Sequence, residues 1–398
     1  MANMDKIIPY GKHFIDDDDI NAVIDVLRHK NLTQGKEIEN FEQAVADFVG
    51  AKHAVAMSSW TAGLHMACLA AGITKGDKVV TSPITFVASA NVAFYCNARP
   101  IFVDIDSETI NIDHQSLENL IESNSDIKAI IPVHYGGLAC NMKEIKDIAK
   151  KSNSIVIEDA AHALGAKYQD GSMVGNCRYS DMTGFSFHPV KSIAAGEGGM
   201  ITTNNYQIYK KLLRLRSHGI NKLDDAFKSE KLAYTQGIQN PWYYEMQELG
   251  YNYRITDIQC ALGQSQLKKL PSFLDRRRQL AIQYDEAFKH DDGIEPIHSS
   301  YRNISSHHLY VLRINYADYG TSRARLMNAL KEKNILTQVH YLPVTSQPFY
   351  TDLGYKTDEF PKALKFYQEA LSIPLYFSLS DDDQKKVIES IKESLIKN

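Results

Sequence analysis

Apolar residues recur at helical spacing near the N-terminus and then gather into short runs, and this change of period organises the chain. Ile20, Val23, Ile24 and Leu27 follow the acidic cluster Asp16–Asp19. Acids suit the positive end of a helix dipole, so a helix is predicted there. A second predicted helix carries Ile38, Phe41, Val45 and Phe48 on one face and stops at Gly50, as glycine-capped helices do. From residue 53 onward short apolar runs alternate with helical stretches. Strands are predicted at 53–59, 78–82, 100–105, 127–135 and 154–159. Helices are predicted from 60 to Gly72, over 86–96, and around Met142, Ile145 and Ile148.

Apolar strands separated by helices imply an α/β fold with a mainly parallel central sheet sandwiched by helices and joined by right-handed crossovers. Ligands of such sheets bind beyond the carboxyl ends of the strands, which is where chemistry is to be sought. The rhythm breaks after about residue 204. Helical segments at 206–217 and 255–290 are joined by an aromatic, polar loop that includes NPWYYEMQELGYNYR. The segment HHLYVLRI (307–314) and a helix around Arg323–Lys333 suggest a smaller α+β unit. Two units are therefore expected: a large α/β domain over 1–254, with its N-terminal helical segment, and a small C-terminal α+β domain over 255–398.

Composition narrows the function classes. Lys plus Arg is 44 and Asp plus Glu is 48, a net charge of −4. That balance offers no field for nucleic acid and no polybasic patch for a membrane surface. No apolar stretch reaches the ~18–20 residues of a membrane span, and the opening MANMDKIIPYGKHF lacks a signal-peptide apolar run. The five cysteines (68, 96, 140, 177 and 260) are scattered and form no CxxC pair. Neither a disulfide framework nor a metal site is expected, and a cytoplasmic location is the simplest reading.

The strand ends carry the candidate chemistry. SIVIED ends in Glu158 and Asp159, and a buried carboxylate is costly without a partner. Asp159 needs a cationic partner, or else serves as a cap for the segment that follows. In SDMTGFSFHPVKSIAAGEGG (180–199) a strand through Thr183–Phe187 places Lys191 on a glycine-rich loop at the sheet mouth. Desolvation lowers the pKa of such a lysine and makes it a candidate imine-forming amine. Pyridoxal 5'-phosphate requires this set: a lysine for its aldehyde, an anion for its ring nitrogen, and hydroxyls with a helix N-terminus for its phosphate. MSSWTAGLHMA (57–67) supplies Ser58, Ser59 and Thr61 where a strand meets a helix, and TFVASAN (85–91) places Phe86 where its face could stack on a flat ring.

Together these residues resemble the DegT/DnrJ-type sugar aminotransferases, which use pyridoxal phosphate on the aspartate-aminotransferase (type I) fold. The resemblance runs from NLTQGKEIENFE (31–42) to VHYLPVTSQPFY (339–350). It is most specific in IEDAAHALGA (157–166), FSFHPVKSIAAGEGG (185–199) and YNYRITDIQCALG (251–263). PITFVASANVAFYC (83–96), CRYSDMTGFSFHPVK (177–191) and PWYYEMQELGYNYR (241–254) are similar to the pseudaminic-acid branch. That branch implies transfer of an amino group from L-glutamate to carbon 4 of UDP-2-acetamido-2,6-dideoxy-β-L-arabino-hex-4-ulose.

The resemblance implies that Lys191 bonds the cofactor's aldehyde and carries protons, that Asp159 pairs with the ring nitrogen, and that His162 lies near the phenolic oxygen. It assigns Ser186 and the Ser59–Thr61–Ala62 turn to the phosphate and Phe86 to the cofactor ring. Asn252, with Arg254 close by, matches a residue that reaches the partner subunit's phosphate, which implies a homodimer with a shared active site. His340, Tyr341 and the 241–253 loop are expected near the nucleotide. Two departures stand out: Trp60, where many relatives have Gly, and Ala194–Ala195, where some have hydroxyl residues. Aminotransferases for other nucleotide-linked 4-keto sugars (viosamine, perosamine or 4-amino-arabinose type) are the nearest alternative. The family's dehydratases carry histidine at the position of Lys191, and a non-catalytic sensing module would be expected to add a DNA-binding domain that this chain has no room for.

Overall fold

The computed structural model describes residues 6–124, 126–221 and 227–395. The first five residues of the N-terminal stretch weighed above lie outside them. Helix α1 (Asp17–His29) is capped by Asp16, whose carboxylate accepts from the Asp19 N–H at 3.2 Å. Helix α2 (Lys36–Val49) ends at Gly50, whose φ of 79° is the left-handed turn that glycine adopts without strain.

The alternating region then builds β1 (His53–Met57), α3 (Trp60–Ala70), β2 (Lys78–Thr81), α4 (Ala88–Tyr95) and β3 (Arg99–Phe102). It continues through α5 (His114–Ser123), β4 (Ile127–Ile130), α6 (Met142–Ser152), β5 (Ile155–Asp159), β6 (Met182–Ser186) and β7 (Gly199–Thr203). These seven strands form one sheet in the order β1-β7-β6-β5-β4-β2-β3. Strands β2 to β6 run parallel to their neighbours among themselves, and β7 runs antiparallel to both β1 and β6. The mainly parallel sheet matches the expected fold class.

Three details differ from the sequence expectation. The strand predicted over 127–135 stops at Ile130; Pro132 has no N–H for a ladder, although Val133 still bridges Asp159. Helix α5 was not anticipated; Asp113 caps it, accepting from the N–H groups of Gln115 and Ser116, and it buries Leu117 and Ile121. Strand β7 was not anticipated either, and its five residues are all buried.

Alternation along β5 sends Val156 and Glu158 to one face and Ile157 and Asp159 to the other. The first face packs with Phe41, Val45, Ile145 and Leu270. The second packs with Val55, Leu64, Val92 and Leu212.

After β7 come α7 (Tyr206–Arg216), β8 (Ile220–Asn221), α8 (Glu230–Ala233) and the short strands β9 (Tyr234–Thr235), β10 (Ile238–Gln239) and β11 (Glu245–Met246). The 32-residue helix α9 (Asp257–Phe288) starts from a capping box made by Thr256 and Gln259. A second, antiparallel sheet has the order β12 (Ile294–Pro296), β13 (Tyr310–Ile314), β14 (Ala370–Ile373). Around it lie α10 (Arg323–Glu332), α11 (Pro348–Asp352), α12 (Pro361–Glu369) and α13 (Asp381–Ser394). Its own core joins Tyr284 of α9 to Leu312, Leu371 and Ile391. No helix of the described residues is long and apolar enough to cross a membrane.

Candidate active site

A cavity of about 450 Å³ opens at the carboxyl ends of β5 and β6, the place a parallel sheet offers a ligand. Seven of the nine residues expected at the site line it: Ser59, Thr61, Phe86, Asp159, His162, Ser186 and Lys191. The other two do not. Ala62 turns into the base of α3, where its N–H donates to Ser59 Oγ at 3.2 Å. Asn252 is exposed, and its backbone bridges Ser217.

Lys191 sits on the loop between β6 and β7. The loop is pinned where Phe187 N–H donates to Gly198 O, Ala195 N–H to Phe187 O, and Lys191 N–H to His188 O, at 2.9, 2.9 and 2.8 Å. Because β6 and β7 pair directly, both ends of this loop are held by neighbouring strands at the middle of the sheet. Burial lowers the Lys191 pKa to about 8, against the opposing pull of the Asp159 carboxylate. About a tenth of the amine is therefore neutral at pH 7, far more than for a solvated lysine.

Asp159 ends β5 and is buried. Its Oδ1 accepts from Trp60 Nε1 at 2.7 Å and from Ala161 N–H at 3.2 Å. Its Oδ2 accepts from Ser89 Oγ at 2.6 Å, and Ser89 in turn meets Thr85 Oγ1 at 2.8 Å. A carboxylate has about four acceptor positions, so Oδ2 keeps one for a ligand in the cavity.

Ser59 caps α3, and the first turn of that helix presents backbone N–H groups that no intrahelical carbonyl can satisfy. The hydroxyl-bearing residues Ser59, Thr61 and Ser186 line the same space, and such a set can hold an anion.

His162 follows β5. Its Nε2 lies 3.1 Å from Tyr341 Oη, and its ring lies 4.3 Å from that of His308. Burial first, then the positive charge of Lys191, pushes the pKa of His162 well below the usual imidazole range. His308 shifts the same way, through burial, His162 and Lys191. Both rings are neutral at pH 7. The buried Nδ1 of His162 has no hydrogen-bond partner among the described residues, which leaves it for a ligand. Phe86 stands at the cavity edge, 59% exposed, with its ring 6.5 Å from that of Tyr341.

Of the residues expected near the nucleotide, His340 and Tyr341 line the cavity, and none of the 241–253 loop does. Sequence reasoning missed Tyr10, Ser89 and His308. Ser89 lay within a quoted motif, four residues after Thr85, whose hydroxyl it meets. Tyr10 and His308 carry no local signal, because the tertiary fold alone brings them in.

An amine, a carboxylate with an open acceptor position, an anion-binding helix start and an unpartnered imidazole nitrogen together fit pyridoxal phosphate. The donor set thus defines a site of the pyridoxal-phosphate class. Residues 13–392 match the DegT/DnrJ/EryC1/StrS aminotransferase family, and the chain belongs to it. It is a pyridoxal-phosphate-dependent nucleotide-sugar aminotransferase.

Among its relatives is the spore coat polysaccharide biosynthesis protein SpsC of Bacillus subtilis, 40% identical over 97% of this chain and 96% of that protein. Another is the UDP-4-amino-4,6-dideoxy-N-acetyl-β-L-altrosamine transaminase of Campylobacter jejuni, 38% identical over 97% and 96% of the two chains. Among solved structures, Helicobacter pylori PseC, an aminotransferase involved in pseudaminic acid biosynthesis, superposes with a TM-score of 0.88. It is 32% identical over 98% of this chain and 99% of that one.

Proposed function

We propose that the protein transfers the amino group of L-glutamate to carbon 4 of UDP-2-acetamido-2,6-dideoxy-β-L-arabino-hex-4-ulose, giving UDP-4-amino-4,6-dideoxy-N-acetyl-β-L-altrosamine. The observation that carries the site assignment is the convergence of Lys191, Asp159 and the start of α3 on one cavity. The acceptor sugar is taken from the named transaminase of C. jejuni and from H. pylori PseC, which share the length of this chain.

Bound pyridoxal phosphate supplies an electron sink for the carbon that loses its proton. Lys191 takes the α-proton of glutamate and later delivers a proton to sugar carbon 4, so the face it occupies sets the configuration of the new amine. Asp159 holds the positive charge at the ring nitrogen. Ser59, Thr61, Ser186 and the first-turn N–H groups of α3 hold the phosphate, Ala62 buttresses that turn, Phe86 covers the ring, and His162 faces the phenolic oxygen.

Asn252 is exposed beside a stretch that also exposes Leu232, Ile238, Trp242 and Leu249. We infer that this surface meets a second copy, whose phosphate Asn252 and Arg254 reach, in a cytoplasmic homodimer. We also assign residues 1–254 to the large domain and 255–398 to the small one.

The decisive experiment is incubation with the UDP-linked 4-keto sugar, L-glutamate and pyridoxal phosphate, followed by NMR of the product. An amine of the altrosamine configuration at carbon 4 is expected. No turnover of this sugar, alongside turnover of a matched dTDP- or UDP-linked alternative, refutes the substrate assignment. The SpsC relative favours that second reading, a different nucleotide-linked 4-keto sugar destined for another polysaccharide. In either case Lys191→Ala is expected to lose both turnover and the visible absorbance of the bound coenzyme; retention of both refutes the role of Lys191.

A further inference from the structure

Trp60 opens α3, and the fold makes room for it at three glycines. In the sheet, Asp159 pairs with Gly184, so both occupy the same face. Gly184 has no side chain there; a Cβ would lie 1.6 Å from Trp60 Cη2. Gly63, one helical turn after Trp60, likewise leaves room for the ring, since a Cβ would lie 2.6 Å from Trp60 Cε3. Gly199 of β7 lets the backbone of Ser59 and Trp60 pass close above it, a Cβ there falling 2.7 Å from Trp60 N. The indole is buried with only 6% of the residue exposed. Its single polar atom, a donor only, meets Asp159 Oδ1 at 2.7 Å.

The consequence lies in how the carboxylate is divided. Trp60 and Ala161 both donate to Oδ1, and Ser89 donates to Oδ2. Oδ1 is thereby saturated, and the acceptor position that remains belongs to Oδ2. Donors on both oxygens stabilise the negative charge of the carboxylate. A proton shared between that carboxylate and a ring nitrogen then stays on the ring.

We propose that Trp60 is a positioning residue of the transamination: it fixes which oxygen of Asp159 meets the cofactor and keeps the shared proton on the ring nitrogen. This rests on the reading of Asp159 as the partner of that nitrogen, and it is independent of which sugar is the acceptor.

The test uses the holoenzyme loaded with pyridoxal phosphate labelled with 15N in its ring. In the parent protein the ring resonance is expected at the protonated position. Trp60→Phe keeps most of the bulk and removes the N–H. It is expected to move the resonance toward unprotonated pyridine, and to lower kcat about tenfold, the scale of one charge-assisted hydrogen bond. KM for glutamate is expected to stay within about twofold. An unchanged ring resonance in a folded Trp60→Phe variant, with Asp159→Asn shifting it, overturns the role of Trp60 and leaves that of Asp159 standing. If Asp159→Asn leaves the resonance unmoved as well, both assignments fall.

Should Trp60→Phe not fold, the parent chain answers through its own indoles, because it holds only two tryptophans, Trp60 and Trp242. With 15N-indole labelling, the Trp60 N–H resonance is expected to shift when the labelled protein carries Asp159→Asn and again when the apo-protein takes up the coenzyme. A Trp60 resonance indifferent to both changes overturns the proposal.

Discussion

Glu158 and Asp159 are consecutive in sequence, both buried, and on opposite faces of one strand, yet their surroundings differ. Glu158 accepts from His134 Nε2 at 2.7 Å, from Tyr168 Oη at 2.8 Å and from Thr183 Oγ1 at 2.8 Å, and it also meets Ser180 Oγ. Cys140 N–H donates to His134 Nδ1, so the imidazole hydrogen lies on Nε2, toward Glu158. Burial pushes the Glu158 carboxyl up, but hydrogen bonds from His134, Ser180 and Tyr168 outweigh it and hold the group below the usual range. Every acceptor position of Glu158 faces protein. Asp159 has three donors and keeps one position toward a cavity. Burial of an acid therefore does not mark a reactive site; unfilled acceptor capacity facing open space does.

The contrast can be broken from either side. Asp159→Asn is expected to lower turnover about a hundredfold or more, the upper scale of a charged hydrogen bond, while the thermal midpoint stays close to that of the parent. Steady-state kinetics beside a melting curve check this, and a variant with near-normal kcat would remove Asp159 from the chemistry. Glu158→Ala is expected to do the reverse. It strands His134, Tyr168, Ser180 and Thr183 in the interior and costs about 3–5 kcal/mol of stability, read by denaturant unfolding, with activity persisting wherever the protein remains folded. Equal effects of the two substitutions on kcat would erase the distinction between the faces.

The cavity side is sharpened by pH. With its pKa lowered to about 8, Lys191 is protonated below that value and neutral above it. Addition of coenzyme to the apo-protein is expected to quicken about tenfold per pH unit below 8 and to level off above it. Stopped-flow absorbance follows it, and a rate that keeps climbing to pH 10 would indicate an ordinary, solvated lysine. The smallest effect is expected from Ser89→Ala, a loss in kcat below about tenfold, since Trp60 and Ala161 still hold Oδ1.

Much of the frame was legible because strand and helix periods are local properties of the chain. Asp159 and Lys191 could be read from their places at predicted strand ends, and Ser59 and Thr61 from a strand-to-helix junction. Strand β7 was not, because its Gly-rich start looks like loop and its antiparallel pairing depends on β6 across the Lys191 loop and on β1, far away in sequence. The role of Trp60 was hidden for the same reason. In sequence it is a bulky residue at a strand-to-helix junction; its partner Asp159 lies 99 residues on, and its seat on Gly184 exists only once β5 and β6 are paired. The residues whose signal was missed are those whose partners are remote.

The indole resting on Gly184 also bears on how this catalyst could be reshaped. Any side chain at 184 collides with the ring, whereas trimming the ring first leaves a hollow beside Asp159 and strips that acid of a donor. Neither single change is a comfortable stepping stone, so a library that varies one codon at a time will tend to stall there. Variation at 60, 63 and 184 needs to be drawn together if the inner wall of the pocket is to be redrawn.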